Sequence, residues 1–372
     1  MTSTSTGPTA RAVLPDLRET DVAELARVLC DIPSVSGSET ALADAVEAAL
    51  RACPHLEVVR DGDAVVARTT LGRDQRVVVA GHLDTVPIAG NVPSEVREVD
   101  GEEVLWGRGA VDMKGGVAVQ LALAARLTAP SRDVTWVFYD HEEVDARLNG
   151  LGRLVRTHPD LVRGDFAVLC EPTSGDIEGG CNGTLRAEIR VPGRAAHSAR
   201  SWMGVNAIHE ASHVLTRLAV YEPAQVLVDG LRFREGLNAV GIRGGIAGNV
   251  IPDECVVTVN YRFAPSRGPA EAEARVRGIF SGYDVTVTDL AAGARPGLDH
   301  PTARDFVAAV TSVTGRPPGP KYGWTDVARF AELGVPAVNF GPGDPSLAHA
   351  DDERCPLQQI RDCARSLAGW LA

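Results

Sequence analysis

The sequence predicts an α/β protein in which a carboxylate-rich domain is interrupted by a ferredoxin-like insert of order β-α-β-β-α-β. Three observations lead there. Apolar, β-branched runs at 76–80, 134–139 and 166–170 are separated by segments of helical spacing, and each run ends in His, Asp or Glu. From Gly183 the pattern becomes extended, helical, extended, extended, helical, extended, which is the split βαβ order. The insert carries about as many basic as acidic residues, so the net charge of −12 sits in the remainder. At 372 residues the chain exceeds the usual size of one domain. The expected division is 1–180 and 292–372 for the first domain and 181–291 for the insert.

In chain order, apolar residues recur at helical spacing over 21–30 and 40–52, around a Pro/Ser/Gly loop at 31–37. The strand at 76–80 runs into Gly81-His82-Leu83-Asp84-Thr85-Val86-Pro87. It delivers His82 and Asp84 to its carboxyl end, where α/β sheets bind ligands. The two residues share a side of the extended chain. Alone, His-x-Asp is more often a surface hydrogen bond than a metal site; a carboxylate beside a ligating imidazole is also the usual device for fixing its tautomer. The glycine-rich stretch 105–116 reads as either a phosphate cradle or a loop presenting Asp112. It has neither the dinucleotide fingerprint nor Walker spacing, which favours Asp112, followed by a helix over 117–126.

The strand at 134–139 ends in Asp140-His141-Glu142-Glu143, and the strand at 166–170 ends in Glu171-Pro172-Thr173. Any one charged strand end is ordinarily a solvated loop; three in succession point to a site. Within the insert, strands are expected at 185–191, 240–246, 255–263 and 283–288 and helices at 206–218 and 270–280. The first domain then resumes with helices at 302–313 and 325–333, a strand at 336–340, His349, and a last helix over 357–371.

Composition narrows the function. The acidic charge argues against a nucleic-acid partner held through phosphates. Seven cysteines without paired spacing fit a reducing cytoplasm better than a disulfide scaffold. No run has the apolar length to span a membrane. Met1 to Ala10 is Ser/Thr-rich without a basic start or apolar core and reads as a loose tail. The only lysines are Lys114 and Lys321, consistent with a GC-rich coding bias toward Arg.

Collected, the candidate ligands are His82, Asp112, Glu142, Glu143, Glu171 and His349. Two imidazoles with several carboxylates suit zinc or cobalt better than calcium. One zinc needs about four ligands. Six groups therefore suit two ions sharing a carboxylate.

The motifs Gly-His-Leu-Asp-Thr-Val-Pro (81–87), Gly-Arg-Gly-Ala-Val-Asp-Met-Lys-Gly-Gly (107–116), Glu142-Glu143, Glu171-Pro172-Thr173, Gly193-x-x-x-His197-Ser198, Asn249-Val250-Ile251-Pro252 and His349 occur in order along nearly the whole chain. In these the chain resembles the M20 (aminoacylase/carboxypeptidase G2) family of two-zinc amidohydrolases. The resemblance implies a zinc-peptidase-like catalytic domain with a mixed central sheet and an inserted lid/dimerisation domain. It implies two zinc ions per subunit, with cobalt able to substitute. Asp112 would bridge them, His82 and Glu171 would complete one site, and Glu143 and His349 the other. Asp84 would orient His82, Glu142 would be the general base, and His197 would donate to the oxyanion, often across a homodimer. Asn249 and Arg262 match substrate-contacting positions, and the peptide after Asp112 would be cis. His55, His158, His209, His213 and His300 match no ligand position. His141 stands where the family commonly has Asp.

Within the family, 200–209 and 322–326 are most similar to a high-GC bacterial type. That similarity implies hydrolysis of N-succinyl-LL-2,6-diaminopimelate in lysine and cell-wall precursor synthesis. Alternatives are deacetylation of N-acetylornithine or carboxypeptidase action, with the same metal site and a different acyl pocket. A metal-free binding relative is the rival of another class, and the intact ligand set speaks against it.

Overall fold

The computed structural model, which describes residues 12–372, contains an eight-stranded mixed sheet. The stretch Met1 to Ala10, read above as a tail, lies outside the described residues. Six longer strands run in the order Glu57–Asp61, Ala64–Arg68, Asp133–Tyr139, Arg76–His82, Phe166–Leu169, Ala337–Asn339. The first two pairings are antiparallel and the next three parallel. Parallel central strands need apolar side chains on both faces. That is why Val77, Val78, Val79, Val134, Trp136, Val137, Phe138 and Phe166 to Leu169 are all buried.

Helices Val22–Cys30, Thr40–Arg51, Lys114–Arg126, Pro301–Thr314 and Leu357–Leu371 contribute to the main core. Lys114–Arg126 starts three residues before its apolar run. Its first turn is Lys-Gly-Gly, a poor helix former, and packing explains it. A Cβ on Gly116 would lie 2.2 Å from the Cys170 carbonyl oxygen, so only glycine lets the helix approach the end of the Phe166–Leu169 strand.

The six longer strands belong to a unit made of residues 12–178, 297–319 and 329–372; a second unit comprises Gly179–Pro296 and Pro320–Ala328. The segment 320–328, expected with the resumed first domain, thus groups with the insert. The second unit holds a four-stranded antiparallel sheet in the order Gly236–Gly244, Glu254–Phe263, Gly183–Pro192, Asp284–Ala291. Helices Ala207–Ala219 and Pro269–Ile279 supply Ala207, Ala211, Val214, Ala272 and Val276 to its core. In Glu254–Phe263, Val257, Val259, Tyr261 and Phe263 are buried, while Thr258, Asn260 and Arg262 alternate onto the other, partly exposed face.

Besides the hairpin of Glu57–Asp61 and Ala64–Arg68, two more lie outside the sequence expectations. Glu95–Val99 pairs with Glu102–Trp106, and Gln225–Val228 with Leu231–Arg234. Each turns on Asp-Gly (Asp100-Gly101, Asp229-Gly230) with all four residues at positive φ, the usual two-residue hairpin signal. Among the described residues no helix is long and apolar enough to cross a membrane.

Candidate metal centre

Parallel pairing aligns strand ends. His82 is opposite Tyr139, and Ala80 is opposite Leu169. The residues that follow, Asp84, Glu142, Glu143 and Glu171, therefore emerge at one edge of the sheet. Asp112 arrives on the loop before Lys114–Arg126, and its bond to Met113 is cis. His349 arrives on the loop beyond Ala337–Asn339, at φ 66°.

All six candidate ligands meet in three overlapping groups: His82, Asp112 and Glu171; His82, Glu142 and Glu143; Asp112, Glu143 and His349. Within each group the donor atoms lie within 4.8 Å of one another. Asp112 stands between the imidazoles. Its Oδ1 is 3.1 Å from His82 Nε2 and its Oδ2 is 3.4 Å from His349 Nε2. His349 Nε2 is also 3.0 Å from Glu143. Among the described residues, none of the five other histidines read as structural joins these groups.

Asp84 meets His82 through its backbone. His82 Nδ1 is held by the Asp84 backbone carbonyl at 2.9 Å, whereas the carboxylate lies 3.6 Å away, beyond hydrogen-bond range. That carboxylate accepts from the Glu142 and Glu143 backbone N–H groups, at 2.9 and 3.0 Å, and from the Ser36 hydroxyl at 2.7 Å. Its own donors are closer and better aligned than the ring, so it anchors the Glu142-Glu143 turn.

Several supporting residues carry no sequence signal of their own. The Ser34 hydroxyl donates to the Leu83 carbonyl, and buried Lys114 donates to the Ile32 carbonyl at 2.7 Å. Buried Glu353 accepts from the backbone of the Asp112 loop.

His197 and Asn249 lie in the second unit and adjoin each other. Ala196–His197 pairs with Val250–Ile251, and the Ser198 N–H donates to the Asn249 carbonyl at 2.9 Å. His197 is exposed, and its Nδ1 accepts from the Ala199 N–H at 3.1 Å. Arg262 Nε donates to Asn260 Oδ1, and burial, together with nearby Arg186, lowers its pKa.

The electrostatics follow from crowding. Asp112 and Glu143 push the His349 pKa up to about 10, against burial. Burial opposes protonation of His82, but Asp112 and Asp84 outweigh it and raise its pKa well above the ordinary value. Four carboxylates and two imidazoles in contact form the N/O donor set preferred by zinc and similar ions, so these residues fit a metal centre. Ions entering it displace protons from the imidazoles, which favours loading as pH rises.

With this geometry in hand, the comparisons are direct. Residues 78–372 match peptidase family M20/M25/M40, and the chain belongs to that family. It is 46% identical to the succinyl-diaminopimelate desuccinylase of Corynebacterium glutamicum, covering 94% of this chain and 95% of that one. It is 56% identical to a Mycobacterium tuberculosis protein provisionally given the same name, covering 96% and 99%. A Staphylococcus aureus tripeptidase structure superposes with a TM-score of 0.77 at 18% identity, covering 96% of this chain and 98% of that one. This last likeness speaks to the fold alone.

Asp84 supplies a pH test. Burial would raise its pKa, but His82, the Ser36 hydroxyl and the Glu142 N–H hold it down to about 2. A carboxyl depressed below its unfolded value of ~3.9 stabilises the fold above that pH, and the contribution is lost as pH falls through the folded value. In the metal-free protein, Asp84→Asn should cost ~2.5 kcal/mol near neutral pH, falling to about half near pH 3. Denaturant unfolding at both pH values checks this; an equal deficit at both would contradict it.

Proposed function

We propose that this protein is a two-zinc amide hydrolase that converts N-succinyl-LL-2,6-diaminopimelate and water into succinate and LL-2,6-diaminopimelate. The observation that carries this reading is the near-full-length identity to the Corynebacterium glutamicum desuccinylase. The convergence of six candidate ligands supports the metal chemistry. Seven free, buried cysteines support a reducing compartment, the cytoplasm.

Asp112 would bridge the two ions, with His82 and Glu171 holding one and Glu143 and His349 the other; cobalt would substitute for zinc. When bound, such ions polarise the amide carbonyl and make water nucleophilic near neutral pH. Glu142 takes the proton of the water whose oxygen adds to the amide carbon. It returns that proton to the nitrogen as the C–N bond breaks. Asp84 keeps Glu142 in position through the backbone N–H. His197 is the oxyanion donor. Because its Nδ1 accepts a hydrogen bond, the ring proton resides on Nε2, ready to donate. Asn249 and Arg262 are the substrate contacts, with the Arg262 fork suited to a carboxylate of the substrate.

The homodimer reading rests on an uncovered sheet edge. Gly236–Gly244 is the edge strand of its sheet, and Val240 and Ile242 are 59% and 55% exposed on it. Trp202, Met203 and Ile246 are also exposed in the same unit. Apolar, unpaired edges are normally blunted or covered, and a second copy of the same edge would cover this one.

Replacing Glu142 by Gln should leave the fold and metal content unchanged and lower kcat by ~10²–10⁴-fold, because the attacking water loses its proton acceptor. Wild-type kcat in that variant would remove Glu142 from the mechanism. Succinyl substrates should be hydrolysed far faster than acetyl ones, and Arg262→Ala should erase most of the succinyl kcat/KM through loss of a charge-assisted hydrogen bond. A wild-type preference for N-acetylornithine would overturn the substrate reading while leaving the metal centre standing. Sedimentation should give a dimer for the wild type and a monomer for the Val240→Lys, Ile242→Lys double variant; a wild-type monomer would refute the dimer.

A further inference from the structure

Glu353 lies where two pieces of chain far apart in sequence are stitched together. Strand Arg354–Pro356 pairs antiparallel with Glu102–Trp106, with Arg354 opposite Trp106. That register brings Glu353 alongside the loop that leaves Trp106 and carries Asp112. The Glu353 side chain is 1% exposed. Its Oε1 accepts from the Val111 and Asp112 backbone N–H groups at 2.9 and 3.0 Å. Its Oε2 accepts from the Gly109 N–H at 3.0 Å and from Arg108 Nη1 at 2.9 Å. Arg108, 3% exposed, also donates from Nε to the Pro87 carbonyl and from Nη1 to the Ala350 carbonyl, both at 3.1 Å. One buried ion pair therefore touches the loop after His82, the loop bearing Asp112 and the loop bearing His349.

We infer that the Arg108–Glu353 pair is a positioning device for one of the two metal positions, setting Asp112 and His349 at the separation that a shared ion requires. The inference rests on the two-ion reading above. It is selective because the pair does not support all ligands equally. In the group Asp112, Glu143 and His349, two of three ligands sit on loops held by Glu353 or Arg108. In the group His82, Asp112 and Glu171, only Asp112 sits on a loop held beside it: His82 is the last residue of a central strand, five residues before the Pro87 carbonyl that Arg108 holds, and Glu171 follows another central strand. His349 needs such support most: it is 54% exposed and has a left-handed backbone. The Ala350 carbonyl that Arg108 holds is its immediate neighbour. Neither Arg108 nor Glu353 is among the groups that meet the ions, so both act through the ligands.

The test is calorimetric titration of Zn²⁺ into full-length protein stripped by a chelator, with Co²⁺ absorption spectra as a second reading of coordination. The wild type should take up two ions. Glu353→Gln keeps the shape, but its amide nitrogen cannot accept from the donor pair it would face. It should weaken the second ion ~10–100-fold, the range for lost outer-shell support, and leave the first close to wild type. Arg108→Lys keeps the charge but cannot reach Glu353, Pro87 and Ala350 together. It should weaken the same ion to a smaller extent, and it decides the matter if Glu353→Gln does not fold. Equal weakening of both ions, or no weakening, in a folded variant overturns the inference. Fewer than two ions in the wild type overturns the two-ion reading itself, and is seen before any variant is made.

Discussion

Like-charge repulsion is the constraint on which this structure turns. Asp112, Glu142, Glu143 and Glu171 bring four carboxylates together with only two imidazoles between them, in surroundings where water screens poorly. Unit charges a few ångströms apart interact far more strongly there than in bulk water. A chain left to itself would spread these groups apart. The fold instead fixes backbone first, and the ligand side chains have nowhere else to go.

The parallel sheet does the coarse part. Strands buried along nearly their whole length cannot slip register without exposing apolar surface, so the positions of His82, Glu142, Glu143 and Glu171 follow from the register of three strands. The fine part is done by two further carboxylates that touch no ligand side chain within hydrogen-bond range. Asp84 gathers the N–H groups of Glu142 and Glu143, and Glu353 gathers those of Val111 and Asp112. In both cases an anion holds a loop by its amides, leaving the side chains of that loop to face the cluster.

The division between these two parts is also the division between what was legible in the sequence and what was not. Strand ends were readable because β-branched runs announce themselves and the next polar residue is adjacent in the chain. The ferredoxin-like order was readable from alternation in 255–263 and helical spacing in 206–218. Asp84 is legible beside His82, but the turn of its carboxylate toward the Glu142 and Glu143 N–H groups is set by the tertiary fold. Glu353 was invisible, since its partners at 108–112 lie more than two hundred residues earlier and pair with it only through a short strand at Arg354–Pro356. The hairpin at 225–234 could have been read from Asp229-Gly230; its flanking strands, short and partly exposed, do not stand out.

The charge count around the cluster gives a physical case for divalent ions that is independent of likeness to any relative. Glu353 is matched by the buried guanidinium of Arg108 at 2.9 Å. Lys114, buried and with its pKa pushed down to about 8 by that burial, places its charge near Glu353, Asp31 and Asp84 alike. It remains mostly charged near neutral pH. The four cluster carboxylates face imidazoles that are neutral whenever they ligate a metal. Four negative charges then remain, which divalent cations would neutralise. Without ions, protons on the imidazoles relieve part of the repulsion, and the carboxylates around His82 and His349 raise both pKa values accordingly. Two protons supply half the needed charge. The metal-free site is therefore an anionic trap, held open by the sheet and its two anchoring carboxylates.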